Sequence, residues 1–114
     1  MIAVIFELQP QPGATARYLD LAATLKPELE AIDGFISVER FESLTRPGHY
    51  LSLSMWRDEA AVRQWRCHAM HREAQQAGRR TVLAGYRLRV ATVIRDYGLH
   101  ERAQAPGDSR DALT

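Results

Sequence analysis

Trp65, Cys67, His68, Met70, His71 and Gln75 lie within a single short stretch of the chain. His68 and His71 are three apart, so on a helix both imidazoles share one face. Imidazole titrates near neutral pH and is the commonest metal ligand, so this pair could open a metal site or an acid/base site. Zinc needs a third ligand, and no nearby acid stands at the expected spacing, so no metal is expected. His71 is read either as a half-buried imidazole bonded to the backbone or as a group that binds or ionises a ligand. Trp65 either walls a pocket or fills the core. Cys67 is the single cysteine, which excludes an intrachain disulfide and a multi-cysteine zinc site. It is expected as a small buried or half-buried thiol, with only Arg66 and His68 beside it to favour the thiolate. Glu7 is expected to pair with an arginine of a neighbouring strand, while Asp96 and Tyr97 fall near the end of the last strand. There is no glycine-rich phosphate loop, nucleophile elbow or Ser/His/Asp grouping that spacing supports.

The elements that must position these residues follow from periodicity. Ile2, Val4, Phe6 and Leu8 alternate with Ala3, Ile5 and Glu7, a strand with two largely apolar faces, ended by Pro10, Pro12 and Gly13. From about Ala14 to Ile32 the period is helical, with Tyr18, Leu21, Ala22, Leu25, Leu29 and Ile32 in one stripe. Pro27 is expected to kink this helix or shorten it, and Gly34 to cap it. Phe35 to Ser43 and Tyr50 to Trp56 read as strands joined through the turn Thr45-Arg46-Pro47-Gly48. Asp58 is an N-cap candidate, with Glu59 in the first turn. A short helix with Ala61, Val62 and Trp65 inward is expected, then a second from about His68 to Arg79, where Gly78 is a stop signal. Tyr86 to Tyr97 is the last strand. Residues 1–98 form one domain, and the polar stretch 99–114 is a mobile tail or an arm lying on a partner subunit.

The order strand, helix, strand, strand, helix, strand is the α+β, ferredoxin-like split βαβ arrangement, a four-stranded antiparallel sheet with helices on one face. Phe35, Phe41 and Tyr50, together with Trp56, are expected on the face away from the helices. An apolar sheet face needs a cover, and a second copy of the chain supplies it, giving a homodimer with its sheets face to face as a dimeric α/β barrel.

Composition bounds the class. The chain has 114 residues, 46% hydrophobic and 25% charged, which is ordinary for one globular domain. No apolar run approaches the roughly 20 residues of a membrane helix, so no membrane partner is expected and a cytoplasmic location is the default. The 15 basic residues, all arginine but Lys26, are balanced by 14 acids and spread along the chain. That excludes the field a nucleic-acid partner would need.

The element order, Asp33-Gly34-Phe35, Trp56-Arg57-Asp58-Glu59, the Trp65-Arg66-Cys67-His68-Ala69-Met70-His71 stretch and the closing Arg95-Asp96-Tyr97 resemble the antibiotic biosynthesis monooxygenase (ABM) domain family over about residues 1–97. The resemblance implies a dimeric α+β barrel. In some members it implies oxidation of phenolic substrates to quinones by molecular oxygen without metal or flavin, so no cofactor is expected. It points to an enzyme, a monooxygenase acting on a small aromatic or quinol-type substrate. His71 would be the base that ionises it and Trp65 would stand beside it; Phe6, Tyr18, Trp65, His68, Gln75 and Tyr86 would line the site. A haem-binding or haem-degrading branch of the family uses an Asn on the first strand, a Trp on the second helix and a His about ten residues beyond. Here Trp65 matches the Trp, Phe6 or Glu7 stands at the Asn position, and Gln75 at the His position. A non-catalytic dimeric module that binds a small molecule is the third reading.

Overall fold

The computed structural model describes residues 1–76 and 82–109, with side chains at 1–69 and 82–109. Its elements run β1 (Ile2–Pro10), α1 (Thr15–Glu30), β2 (Phe35–Glu42), β3 (Tyr50–Trp56), α2 (Glu59–Gln76) and β4 (Leu83–Thr92). The strands form one antiparallel sheet in the order β2-β3-β1-β4. This is the expected ferredoxin-like α+β fold.

Strand parity sorts the side chains into two faces. On the helix side, Ile2, Val4, Phe6 and Leu8 of β1 lie beside Trp56, Ser54, Ser52 and Tyr50 of β3. Trp56, 1% exposed, centres the core with Ile2, Leu29, Ala61 and Val62, and Phe35 meets its ring edge-on at 5.4 Å. A second cluster joins Leu8, Tyr18 and Val82, with Tyr50 packed against it. Phe35, Tyr50 and Trp56 are therefore under the helices, not on the far face. The parity grouping of β3 holds, but its side is reversed. Phe35 changes side because the β2–β3 register shifts between Phe35 and Ser37. The far face carries Ala3, Ile5, Leu51, Leu53 and Met55 on the two central strands, with Phe41 on β2. Arg89 donates to Glu7 across that face at 3.2 Å, the strand-to-strand pair anticipated for Glu7.

Several boundaries move. The second helical region is one helix, because no residue before Gln76 breaks it. Its inward residues are Ala61, Val62, Trp65 and Ala69. Cys67 falls between them on the turn, so it is exposed rather than buried. Gly78 and Arg79 lie outside the described residues. α1 ends at Glu30 with Pro27 inside it, and Gly34 is not its cap. Gly34 instead turns the chain into β2 at φ +92°, where a Cβ would stand 2.8 Å from that of Ala61. β4 starts earlier and stops earlier than Tyr86–Tyr97. Its pairing with β1 continues only to the Val93 amide, which donates to the Met1 carbonyl at 3.0 Å. Beyond it, Arg102 donates to the carbonyls of Gly98 and Ser109 and sits over the Tyr97 ring, and Ala105 is buried.

Asp58 caps α2, accepting from the Ala61 amide at 2.9 Å and from Arg57, which also pairs with Asp33. The Ala61 amide first, and Arg57 second, hold its carboxyl below the ordinary value of 3.8. A carboxyl whose folded pKa is depressed stabilises the fold above its unfolded pKa and loses that contribution as pH falls through the folded value. Asp58→Ala is therefore expected to melt several degrees below the wild-type protein at neutral pH. Thermal melts repeated near pH 3 should show that difference shrinking; a difference that stays constant with pH would contradict the assignment.

Candidate functional site

The two helices do not close down fully on the sheet. Tyr50 and Trp56 are large and stand at the two ends of β3, while the two positions between them on the same face are Ser52 and Ser54. Where a packed core would place leucine or phenylalanine, the centre of the sheet carries hydroxymethyl groups. The result is a cavity of about 260 Å³. Its floor is two cross-sheet rows, Val38-Ser54-Val4-Val90 and Arg40-Ser52-Phe6-Leu88. Its roof is the inner stripe of α1, with Tyr18, Leu21, Ala22, Leu25 and Leu29, and of α2, with Val62, Trp65 and Ala69. Leu88 and Val90 line it yet are 47% and 45% exposed, so the chamber opens along β4.

Its charged groups are few and, among the described residues, of one sign. Arg40 donates from Nε to the Tyr18 hydroxyl at 3.3 Å in a half-buried setting. Lys26 and Arg66 also reach the lining, and among the described residues no carboxylate does. The Ser54 hydroxyl is occupied, accepting from the Trp56 indole N–H at 2.9 Å. Without that bond a buried indole donor would be left unsatisfied. The arrangement suits a guest with an apolar body and one anionic group.

The structure gathers some of the expected residues and not others. Phe6, Tyr18 and Trp65 are on the chamber wall. Tyr86 packs on Phe6 with ring centroids 5.4 Å apart, but it is 61% exposed and outside the lining. His68 is also outside it: its Nε2 lies 3.3 Å from Glu28 Oε1, where it ties α2 to α1 beside Trp65. The α2 backbone carries His71 and Gln75, whose side chains lie outside the described residues. Arg40 and Lys26 escaped the sequence reading. The available signal for Arg40 was its parity with Val38 in β2.

Among the described residues no group of three or more His, Cys, Asp or Glu could hold a metal ion. The described lining also offers haem iron no imidazole, thiolate or thioether, and its one phenol is bonded to Arg40. No helix among the described residues is long and apolar enough to cross a membrane.

Comparison with known proteins gives a consistent picture. A Pyricularia oryzae protein named jasmonate monooxygenase ABM is 54% identical over 93 residues, which is 82% of this chain and 43% of that protein. This chain thus spans less than half the length of that relative. The crystal structure of Rv0793 from Mycobacterium tuberculosis superposes with a TM-score of 0.71 at 22% identity, covering 83% of this chain and 96% of that one. A MhuD variant holding two manganese protoporphyrin IX molecules per active site superposes with a TM-score of 0.68 at 21% identity, covering 86% and 99%. At such identities the two structures speak for the fold alone. The family profile described as antibiotic biosynthesis monooxygenase matches residues 1–77, so this chain, with its roofed sheet and cationic chamber, belongs to the antibiotic biosynthesis monooxygenase family.

Proposed function

We propose that this protein is a monooxygenase that takes a small, mostly apolar molecule with one acidic group into the chamber and oxidises it with molecular oxygen, without a cofactor. The observation that carries this reading is the apolar cavity with cations and no described carboxylate on its wall. A quinol-type aromatic is the first substrate class. Ionised by His71, it is electron-rich enough to react with oxygen directly. In an anthrone one oxygen atom enters the ring-activated methylene as a carbonyl, and the other leaves as water with the two methylene hydrogens. In a hydroquinone one oxygen enters a ring C–H, giving a hydroxyquinone, and the other leaves as water with the two phenolic hydrogens, so neither needs an outside reductant. Trp65, Phe6 and Tyr18 would hold the ring. The 54% identity to a jasmonate monooxygenase favours a second class, a small cyclic ketone carrying a carboxylate.

The test is incubation under labelled dioxygen of hydroquinones and anthrones alone, and of jasmonic acid, whose hydroxylation needs two electrons to reduce the second oxygen to water, with an added two-electron reductant. One labelled oxygen per product is expected, and equal turnover without oxygen would remove the mechanism. His71→Ala is expected to lower turnover by about 10². Binding without turnover across the panel would leave the non-catalytic module. A saturable Soret shift on titration with haemin would instead favour the haem-binding branch.

The far face of the sheet, with Ile5, Leu51, Leu53, Met55 and Phe41, is proposed to pack on the same face of a second copy, closing the homodimeric barrel. The segment after β4 would lie along that partner.

A further inference from the structure

We infer that Arg40, braced by Tyr18, is the anchor for the acidic group of the ligand, and that this pair makes the chamber selective for monoanions over their neutral counterparts. The inference rests on the reading of the chamber as a substrate site, and it adds which residue recognises the charge and which end of the ligand that residue holds.

Arg40 sits on the helix-facing side of an edge strand, directly opposite Ser52, at the end of the row that crosses the chamber floor to Phe6 and Leu88. A fully solvated arginine would need no explanation there. Arg40, however, is half-buried and lines the cavity. A guanidinium against an apolar wall loses hydration, and the loss is recovered only if its donors find acceptors. Guanidinium has five N–H donors, and the Nε donor is spent on the Tyr18 hydroxyl. Among the described residues no carboxylate lies within ion-pair distance of the remaining four. Other arginines show the contrast: Arg57 is paired with Asp33 and Asp58, and Arg89 with Glu7.

The Tyr18 bond also has a consequence. It fixes the plane of the guanidinium, so its terminal nitrogens present a pre-set fork, the geometry that an oxyanion accepts in two parallel hydrogen bonds. Lys26, the chain's single lysine, adds a second positive charge from α1. Arg66 contributes a third from α2, but it and Lys26 are exposed, so Arg40 alone presents its charge from a half-buried position. The remaining lining, with Val4, Leu29, Val62 and Trp65, is largely apolar. The ligand is therefore held acid-end at Arg40 with its apolar body over the serines. Both a carboxylate and an ionised phenol satisfy this chemistry.

Binding decides the matter independently of turnover. Titrations of jasmonic acid against its methyl ester, and of 1-naphthol above its pKa against its methyl ether, are followed by tryptophan fluorescence. The wild-type protein is expected to prefer at least one anion over its neutral partner by about tenfold or more. Preference in the first pair alone marks a carboxylate site, and in the second alone a phenolate site. Arg40→Met is expected to bring the favoured ratio close to one, with Arg40→Lys keeping part of it. Tyr18→Phe, which keeps the ring and frees the fork, is expected to weaken the anion with little effect on the neutral ligand. Equal binding within both pairs by the wild-type protein, or an undiminished preference in a folded Arg40→Met, overturns the anchor. Loss of turnover with the preference intact would instead count against the oxidative function alone.

Discussion

Ser52→Phe is expected to abolish turnover and ligand binding while leaving the melting temperature unchanged or higher. Ser52 lies at the centre of the chamber floor, between Arg40 and Phe6. A benzyl group there projects into the cavity of about 260 Å³ and takes the volume a substrate ring would occupy. It gains apolar burial rather than losing it, so the fold is not the casualty. A loss of about 10² or more in kcat/KM is expected, because small displacements of a bound reactant already cost that much. Ser54 supplies the contrast. Ser54→Ala leaves the chamber open but strips the acceptor from the buried Trp56 indole, at about 1–3 kcal/mol. It should lower the melting temperature and spare turnover. Calorimetry and oxygen-dependent product formation on both variants separate space from scaffold, and a Ser52→Phe protein that still turns over would place the site elsewhere.

Leu53→Glu is the second large effect. Leu53 is central on the far face, with Ile5 on one side and Glu39 on the other, so no cation stands directly opposite to neutralise a new carboxylate. Exposed on a lone protomer, that charge is tolerated. Buried between two sheets it is an unpaired charge, with a penalty of about 3–5 kcal/mol. Light scattering is expected to give twice the 12.9 kDa chain mass for the wild-type protein and the chain mass for the variant. Because each dimer would bury two such charges, the dimerisation constant should move by more than about 10³. A wild-type protein that runs at its chain mass at working concentration would defeat the paired-sheet arrangement.

Much of this fold was legible in residue order. Alternation grouped Ile2, Val4, Phe6 and Leu8 together, and likewise Tyr50, Ser52, Ser54 and Trp56. Period two says which side chains travel together, yet not which side the helices cover. Alternation alone therefore leaves Tyr50 and Trp56 free to be assigned to the far face, where an excess of aromatic groups over helix cover points. The register shift at Phe35 and Ser37 moved Phe35 across, and a bulge has no periodic signature of its own. The end of β4 followed from pairing: Ile94 to Tyr97 continue the alternation, but the ladder stops at Val93. The site was half visible. Aromatic groups on inward stripes, Tyr18 and Trp65, could be found from spacing. Arg40 stood between Glu39 and Phe41 and near Glu42, where an isolated charge in a strand resembles a solvated face. Its place on the chamber floor emerges only when β2 is laid against Ser52.

The alternation of β3 separates two heritable properties of the protein. Even-numbered positions 52 and 54 set how much room a guest has, whereas the odd-numbered 51, 53 and 55 face the opposite way. Neighbouring codons can therefore drift under different selection. If the far face carries the proposed second copy, a lineage could widen or shrink its substrate range through two residues without renegotiating how its subunits recognise each other, and could change partners without relearning its chemistry.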